Sequence, residues 1–195
     1  MFEGCTSLKN TLKIATEAIG IKACYRMFYG CKELTMISEI PNTYMVTVNL
    51  STSCYESMFE KCEKLVSKVE GNEEYNALFK MLLCSKTLVT SCYRNMFKNC
   101  SSLVSTPIMN AADKLAESCY EGMFSGCTSL TETPALSAST LQKSCYLRMF
   151  YGCTSLVESA SLNVKSLPKS CLKSMYEGCT SLNIVNLISV SGSMS

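Results

Sequence analysis

Fourteen cysteines are the residues in this sequence best equipped for chemistry, and the 195-residue chain has no histidine to work with them. A thiolate can serve as nucleophile, metal ligand or half of a disulfide. Without histidine there is no Ser-His-Asp or Cys-His nucleophile pair, no mixed Cys/His zinc site and no histidine-ligated haem. What remains depends on spacing. The motif Cys-Tyr-x-x-Met-Phe-x-x-Cys runs from Cys54 to Cys62, Cys92 to Cys100, Cys119 to Cys127 and Cys145 to Cys153. A degenerate copy spans Cys171 to Cys179, another reads Cys24 to Cys31 one residue short, and Met1 to Cys5 is the tail of one more. Thirteen cysteines thus fall into two columns, with only Cys84 outside them.

That geometry weighs against a metal. Two cysteines eight positions apart on a helix stand about 12 Å apart along its axis, too far to chelate one ion within a unit. Cysteines in one column of adjacent units would lie near 5 Å, inside the range a disulfide tolerates. Each column member has two equivalent neighbours, however, and bonding one pair would distort a regular stack. Buried free thiols acting as small hydrophobes are the expectation, with disulfides or metal as the alternatives. Cys84 is the thiol expected to be exposed or reactive, a buried thiol being its alternative.

Other chemistry finds little support. Carboxylates such as Glu56, Glu121, Glu132 and Glu158 scatter over variable positions, and only Glu70 to Glu74 cluster, which reads as a solvated loop rather than an acid–base pair. Glycines occur singly, so no phosphate-cradling loop exists. With 18 basic and 16 acidic residues the net charge is +2, too balanced for a nucleic-acid or membrane-surface binder. Arg94, Lys98, Arg148 and Lys173 read as a solvated face. The chain is therefore expected to be non-catalytic, with no cofactor, no metal, no nucleic-acid partner and no membrane insertion. Two Asn-x-Ser sequons, at Asn49 and Asn99, matter only in a glycosylating secretory pathway.

The elements that position these residues follow from the repeat. The second cysteine falls at 5, 31, 62, 100, 127, 153 and 179, at intervals of 26, 31, 38, 27, 26 and 26. This predicts seven units near 1–23, 24–53, 54–91, 92–118, 119–144, 145–170 and 171–195. Within a unit, apolar residues at Cys119, Tyr120, Met123, Phe124 and Cys127 predict one face of a helix about two turns long. Ser53, Ser91, Ser118, Ser144 and Ser170 suit N-caps, and Gly126, Gly152 or Asn99 suits helix termination or a tight turn. The segment from Leu130 through Pro134 to Leu136 suits a short strand. A 26-residue unit of this kind buries its apolar face only by stacking on its neighbours. The expected fold is an α/β repeat solenoid, a right-handed leucine-rich-repeat-like slab with short parallel strands on one face and short helices on the other.

The residues also carry a family likeness. Phe-x-Gly-Cys-Thr-Ser-Leu, at Phe124 to Leu130 and Phe150 to Leu156, resembles the BspA-like family of leucine-rich repeats, as do the preceding Met-Phe and the later Pro134, Leu136, Thr140 and Leu141. The resemblance is weakest between Leu65 and Cys92. It implies a bacterial surface or secreted protein, also found in some parasitic protists, whose repeats adhere to proteins of host or neighbouring cells or display other modules. By that resemblance the localisation is extracellular or cell surface. The partner would be a protein or glycan, and a passive spacer is the alternative role.

Alternation from each leucine places the solvent-facing strand positions at Val104, Thr106 and Ile108, then Thr131, Thr133 and Ala135, then Val157, Ser159 and Ser161. These nine are the candidate binding residues; none of them supplies a group to drive a reaction. The surplus of five residues before Cys54 and twelve before Cys92 predicts insertions looped out on one face. Within the second, Asn76 to Cys84 is apolar enough for a helix or a plug, the alternative being mere repair of a decayed repeat. The first residues lie inside a repeat with no signal segment before them. The chain accordingly reads as a fragment whose uncapped ends self-associate.

Overall fold

The computed structural model describes residues 1–11, 19–37, 50–80, 83, 85, 87–109, 113–186 and 188–191. Cys84 and Asn49 lie outside the described residues. Six ten-residue runs of continuous tight turns recur, at 21–30, 52–61, 90–99, 117–126, 143–152 and 169–178. They occupy the segments in which the cysteine motif predicts a helix, and none of them is helical. In each run every fourth residue takes a positive φ, as at Ser118, Gly122 and Gly126 with 52°, 60° and 75°. An α-helix admits no such residue.

The hydrogen bonds show what the turns achieve. Ser118, Tyr120, Gly122, Phe124 and Gly126 donate their N–H groups to Lys143, Cys145, Leu147, Met149 and Tyr151 of the next unit, at 2.7–3.1 Å. The alternate residues close tight turns onto carbonyls three positions back, as Met123 does onto Tyr120 and Cys127 onto Phe124. Every second amide therefore bonds within its own unit and the others bond to the neighbour. A helix would spend its bonds on itself. Spacing gives a further reason: helices pack 8–10 Å apart, whereas the rings of adjacent units sit 5.5–6.0 Å apart. A ribbon of turns fits that pitch, and helices do not.

This register corrects one alignment. Cys24 N–H donates to Cys54 O, the bond that Tyr55 makes to Cys92 one unit later. Cys24 thus fills the tyrosine position, Ala23 fills the first-cysteine position, and the run 21–30 is of full length.

Side chains stack in columns beneath the ribbon. Phe2, Phe28, Phe59, Phe97, Phe124, Phe150 and Tyr176 form one unbroken row of near-parallel rings, with centroids 5.5–5.8 Å apart. Tyr55, Tyr93, Tyr120 and Tyr146 form a second at 5.8–6.0 Å. Leu34, Leu65, Leu103, Leu130 and Leu156 are fully buried alongside. The thirteen described cysteines are free thiols, and all but Cys5 are buried. Six of them do more than fill space. Each of Cys31, Cys62, Cys100, Cys127, Cys153 and Cys179 points its Sγ at the carbonyl of the phenylalanine one unit back, at 3.0–3.1 Å. A thiol donates there only while protonated, and burial keeps it so. Desolvation pushes Cys100 and Cys127 well above the ordinary thiol range and Cys153 up to about 12.

The opposite side is more sparsely bonded. Parallel pairing among the described residues comprises β1 (Leu162–Val164) with β2 (Ile188–Val190) and three isolated bridges, Asn10 to Met36, Lys114 to Thr140 and Glu158 to Ile184. Pro107 and Pro134 have no N–H to give. The second insertion holds one helix, α1 (Glu73–Lys80), capped by Asn72, whose Oδ1 accepts the Tyr75 N–H at 3.0 Å. Phe79 of α1 packs against Phe97 of the ring column at 6.0 Å, and buried Asn76 exchanges two hydrogen bonds with the Val69 backbone. The insertion covers the core here.

Candidate functional site

The strand side carries the candidate site because its segments hold their side chains in a fixed order. Leu130, Pro134, Leu136 and Ala138 are buried, and Leu156, Ala160, Leu162 and Val164 are their counterparts one unit on. The first step between inward residues is four positions and the later steps are two. Thr131 and Ala135 are exposed and Thr133 is half-buried; Val157 and Ser161 are exposed. Val104 and Ile108 are exposed and Thr106 half-buried in the unit before.

Ser159 departs from the expectation. It is buried at 4% exposure, and its Oγ accepts the Asn186 N–H at 2.8 Å. Strict alternation from Leu156 turns Ser159 outward; the four-residue step to Ala160 tucks it under the seventh unit instead.

Six of the nine candidates converge. Thr131, Thr133, Ala135, Val157, Ser159 and Ser161 line one open groove of about 760 Å3, together with Glu132, Pro134, Leu136, Ser137, Glu158, Ala160 and Asn186. Val104, Thr106 and Ile108 are not among its lining; the Val104 carbonyl accepts both the N–H and the Oγ1 of Thr131, at 3.2 and 3.1 Å. A smaller groove of about 400 Å3 continues past Leu136, Ser137 and Ser161 to Asn163 and Ser189.

Four polar groove residues, Glu132, Ser137, Glu158 and Asn186, are not among the nine candidates; from sequence, Glu132 and Glu158 read only as scattered carboxylates. Glu132 and Glu158 are exposed carboxylates on the rim. Asn186 reaches across from the seventh unit, its Nδ2 donating to Glu158 Oε1 at 2.8 Å and to the Ser159 carbonyl at 2.6 Å. The signal was present in Leu182-Asn-Ile-Val-Asn186, the strand segment of the last unit, which the alternation was not carried into. No basic residue lines the groove. Its chemistry is that of a hydrogen-bonding, negatively charged surface with an apolar floor.

The turn ribbon offers a different face. Arg94 lies 3.0 Å from Glu121 and 3.9 Å from Glu56, on the units either side of it. Lys98 with Glu60 and Lys143 with Glu117 pair across units in the same way, at 3.7 and 2.7 Å. Arg94, Lys98 and Lys143 are thus each paired with carboxylates of neighbouring units, while Arg148 lies over the Tyr151 ring. Among the described residues no helix is long and apolar enough to cross a membrane, and no group of three or more cysteines or carboxylates is arranged to hold a metal.

No protein-family model matches the chain, and no curated protein matches it. Among solved structures it is similar to the crystal structure of a leucine rich cell surface protein from Faecalibacterium prausnitzii A2-165, with 14% identity and a TM-score of 0.29. The match covers 99% of this chain and 62% of that one, so this chain spans less than two thirds of that protein's length. That TM-score leaves fold and function to be argued from this chain's own residues.

Proposed function

We propose that the chain is a non-catalytic interaction module of a cell-surface or secreted protein, built as a leucine-rich-repeat-like solenoid and binding its partner on the strand side. The groove between the fifth and sixth units carries this reading: an open, polar-rimmed surface of about 760 Å3 set on a rigid core. Its residues can donate, accept and pack, and a chain without histidine has few means of doing more. The BspA-like resemblance of the repeats points the same way, towards adhesion to a protein or glycan. A passive spacer is the second reading, favoured by the unbroken ring column, which stiffens the stack.

The test is capture by a panel of purified extracellular-matrix proteins, comparing the native chain with the double variant Ala135→Arg/Ser161→Arg. Both side chains are exposed on the groove, so folding is expected to survive, and circular dichroism checks it. Binding by the native chain that the variant loses supports the module. Binding that the variant retains moves the interaction to another face. No binding by any panel member favours the spacer.

A further inference from the structure

The turn run of the seventh unit, 169–178, receives the hydrogen bonds of the sixth and passes none on. Ser144, Tyr146, Arg148, Phe150 and Gly152 donate to its carbonyls at 2.8–3.1 Å. Their counterparts Ser170, Leu172, Ser174, Tyr176 and Gly178 donate their N–H groups to nothing among the described residues. These bare groups fall on every second residue, at the outer face of the stack. The side chains tell the same story. Leu162 and Val164 are 3% and 0% exposed beneath the seventh unit, whereas Ile188 and Val190, their register partners in that unit, are 47% and 38% exposed. The Tyr176 ring stacks on Phe150 through one face and meets no ring among the described residues through the other.

The opposite face of the same chain carries the complement. Phe2 and Gly4 donate inward to Met27 and Tyr29 at 2.9 and 2.8 Å, while the Met1 and Glu3 carbonyls accept nothing among the described residues. In the register that joins every other pair of runs, Tyr176 N–H meets the Met1 carbonyl and Gly178 N–H the Glu3 carbonyl, as Phe150 and Gly152 meet Met175 and Glu177. Phe2 stacks on Phe28 through one ring face only, so Tyr176 can continue the column. On the strand side the bonds run the other way: Thr35 donates to Lys9 and Asn183 to Val157, at 2.9 and 3.0 Å. The Lys9 N–H and the Asn183 carbonyl are left bare and match each other. Ser170, Leu172 and Ser174 have no counterpart in residues 1–4 and stay hydrated. Two seventh-unit faces set against each other would oppose N–H to N–H along the ribbon, so the faces match only head to tail.

We propose that the seventh-unit face binds the Met1–Lys9 face of a second copy of this chain, in parallel register, with Tyr176 stacked on Phe2 of that copy and Val185, Ile188 and Val190 covered by it. A second copy is favoured over an unrelated protein because one chain holds both halves of the pattern, spaced at the pitch that its own units already use. The contact is heterologous and repeats at each added chain, so stacks grow open-ended and do not close as dimers. This gives the self-association expected from the repeat a direction and a register. It goes beyond the strand-side interaction reading and does not depend on it.

The full chain is followed by light scattering under reducing conditions. Its mean mass should rise at least about twofold between about 1 and 100 μM. Val185→Lys/Ile188→Lys charges the seventh-unit face at side chains 78% and 47% exposed, so the fold should survive, as circular dichroism checks. If the pair disturbs the fold, Val185→Lys alone takes its place. The variant should stay monomeric by itself. Its Met1–Lys9 face is intact, however, so a form with a C-terminal hexahistidine tag should still capture the untagged native chain. The groove variant Ala135→Arg/Ser161→Arg should associate as the native chain does. A native chain that is monomeric throughout overturns the proposal, as does a charged variant that associates like the native chain. A monomeric variant that captures no native chain also overturns it, because the seventh-unit faces would then meet each other. Loss of association in the groove variant overturns it too, by moving the contact to the groove.

Discussion

Tyr93 and Tyr176 invite the same substitution with opposite outcomes. Tyr93 is fully buried, its ring stacked between Tyr55 and Tyr120 at 5.8 and 5.9 Å, and its hydroxyl has no hydrogen-bond partner among the described residues. A hydroxyl taken from water without a partner costs about 1–3 kcal/mol. Tyr93→Phe removes that cost and keeps the stacked ring. The void left by one oxygen, about 10 Å3, returns only about 0.2 kcal/mol at the usual cavity penalty. The variant should therefore be more stable by about 1–2 kcal/mol, or about 2–8 °C in Tm for a chain of this size. Tyr176 differs in one bond: its hydroxyl accepts the N–H of buried Ala160 at 2.9 Å. Tyr176→Phe leaves that amide unpaired and should cost about 1–3 kcal/mol. Urea titrations of both variants and the native chain read the signs directly, as shifts in midpoint at unchanged slope. If Tyr93→Phe destabilises, the hydroxyl has a partner and the buried column does not carry an unpaired oxygen at this position. Equal shifts for the two variants would show that the ring environment, not the hydrogen bond, sets the effect.

Gly126→Ala should lower the urea midpoint by about 1–2 kcal/mol, since φ of 75° penalises a side chain and the new Cβ would lie 2.1 Å from Asn99 Oδ1. In the added variant Asn99→Gly, relief of the steric part alone should restore only some of that loss. High pH should unfold the chain. Cys62, Cys92, Cys100, Cys119, Cys127 and Cys153 all have thiol pKa values raised by burial above 9.0, whereas in the unfolded chain they ionise near that value. Unfolding then releases protons, so stability is full below pH 9 and falls by about 8 kcal/mol per pH unit above it, against a total of about 5–15 kcal/mol. Circular dichroism under reducing conditions should show a transition complete by about pH 11; a chain still folded at pH 12 would refute it.

The sequence made some of this legible because one residue type recurs where one environment recurs. Phe28, Phe59, Phe97, Phe124 and Phe150 align in the sequence and stack in space. What failed was the local period. The apolar offsets 0, 1, 4, 5 and 8 from Cys119 were read as helical at 3.6 residues per turn, yet they advance in fours. So do Ser118, Gly122 and Gly126, and Ser91, Asn95 and Asn99, of which the glycines and asparagines are at home at positive φ. Two coincident four-residue periods were a signature of repeated turns. Cys24 was misaligned because a cysteine in the tyrosine position mimics a shortened motif, and only the inter-unit bonds fix its register. Ser159 and Asn186 were out of reach for a different reason. Their contact joins two units, and strand alternation within one unit says nothing about it.

The ribbon of turns gives each unit a donor side and an acceptor side, because its inter-unit N–H groups all point towards the following unit. Such a unit is a directed tile. A tandem duplication or deletion of one whole unit, with its phenylalanine, leucine and cysteine in place, regenerates interfaces of the same kind on both sides. A length change that is not a whole unit has to be absorbed away from the ribbon, as the additions of five and twelve residues are: the runs 52–61 and 90–99 on either side of the longer one keep full length and full register. Genes encoding such a stack can therefore lengthen or shorten it by unequal recombination without passing through an unfolded intermediate sequence. The strand side, where the tiles are loosely joined, is left free to vary from unit to unit.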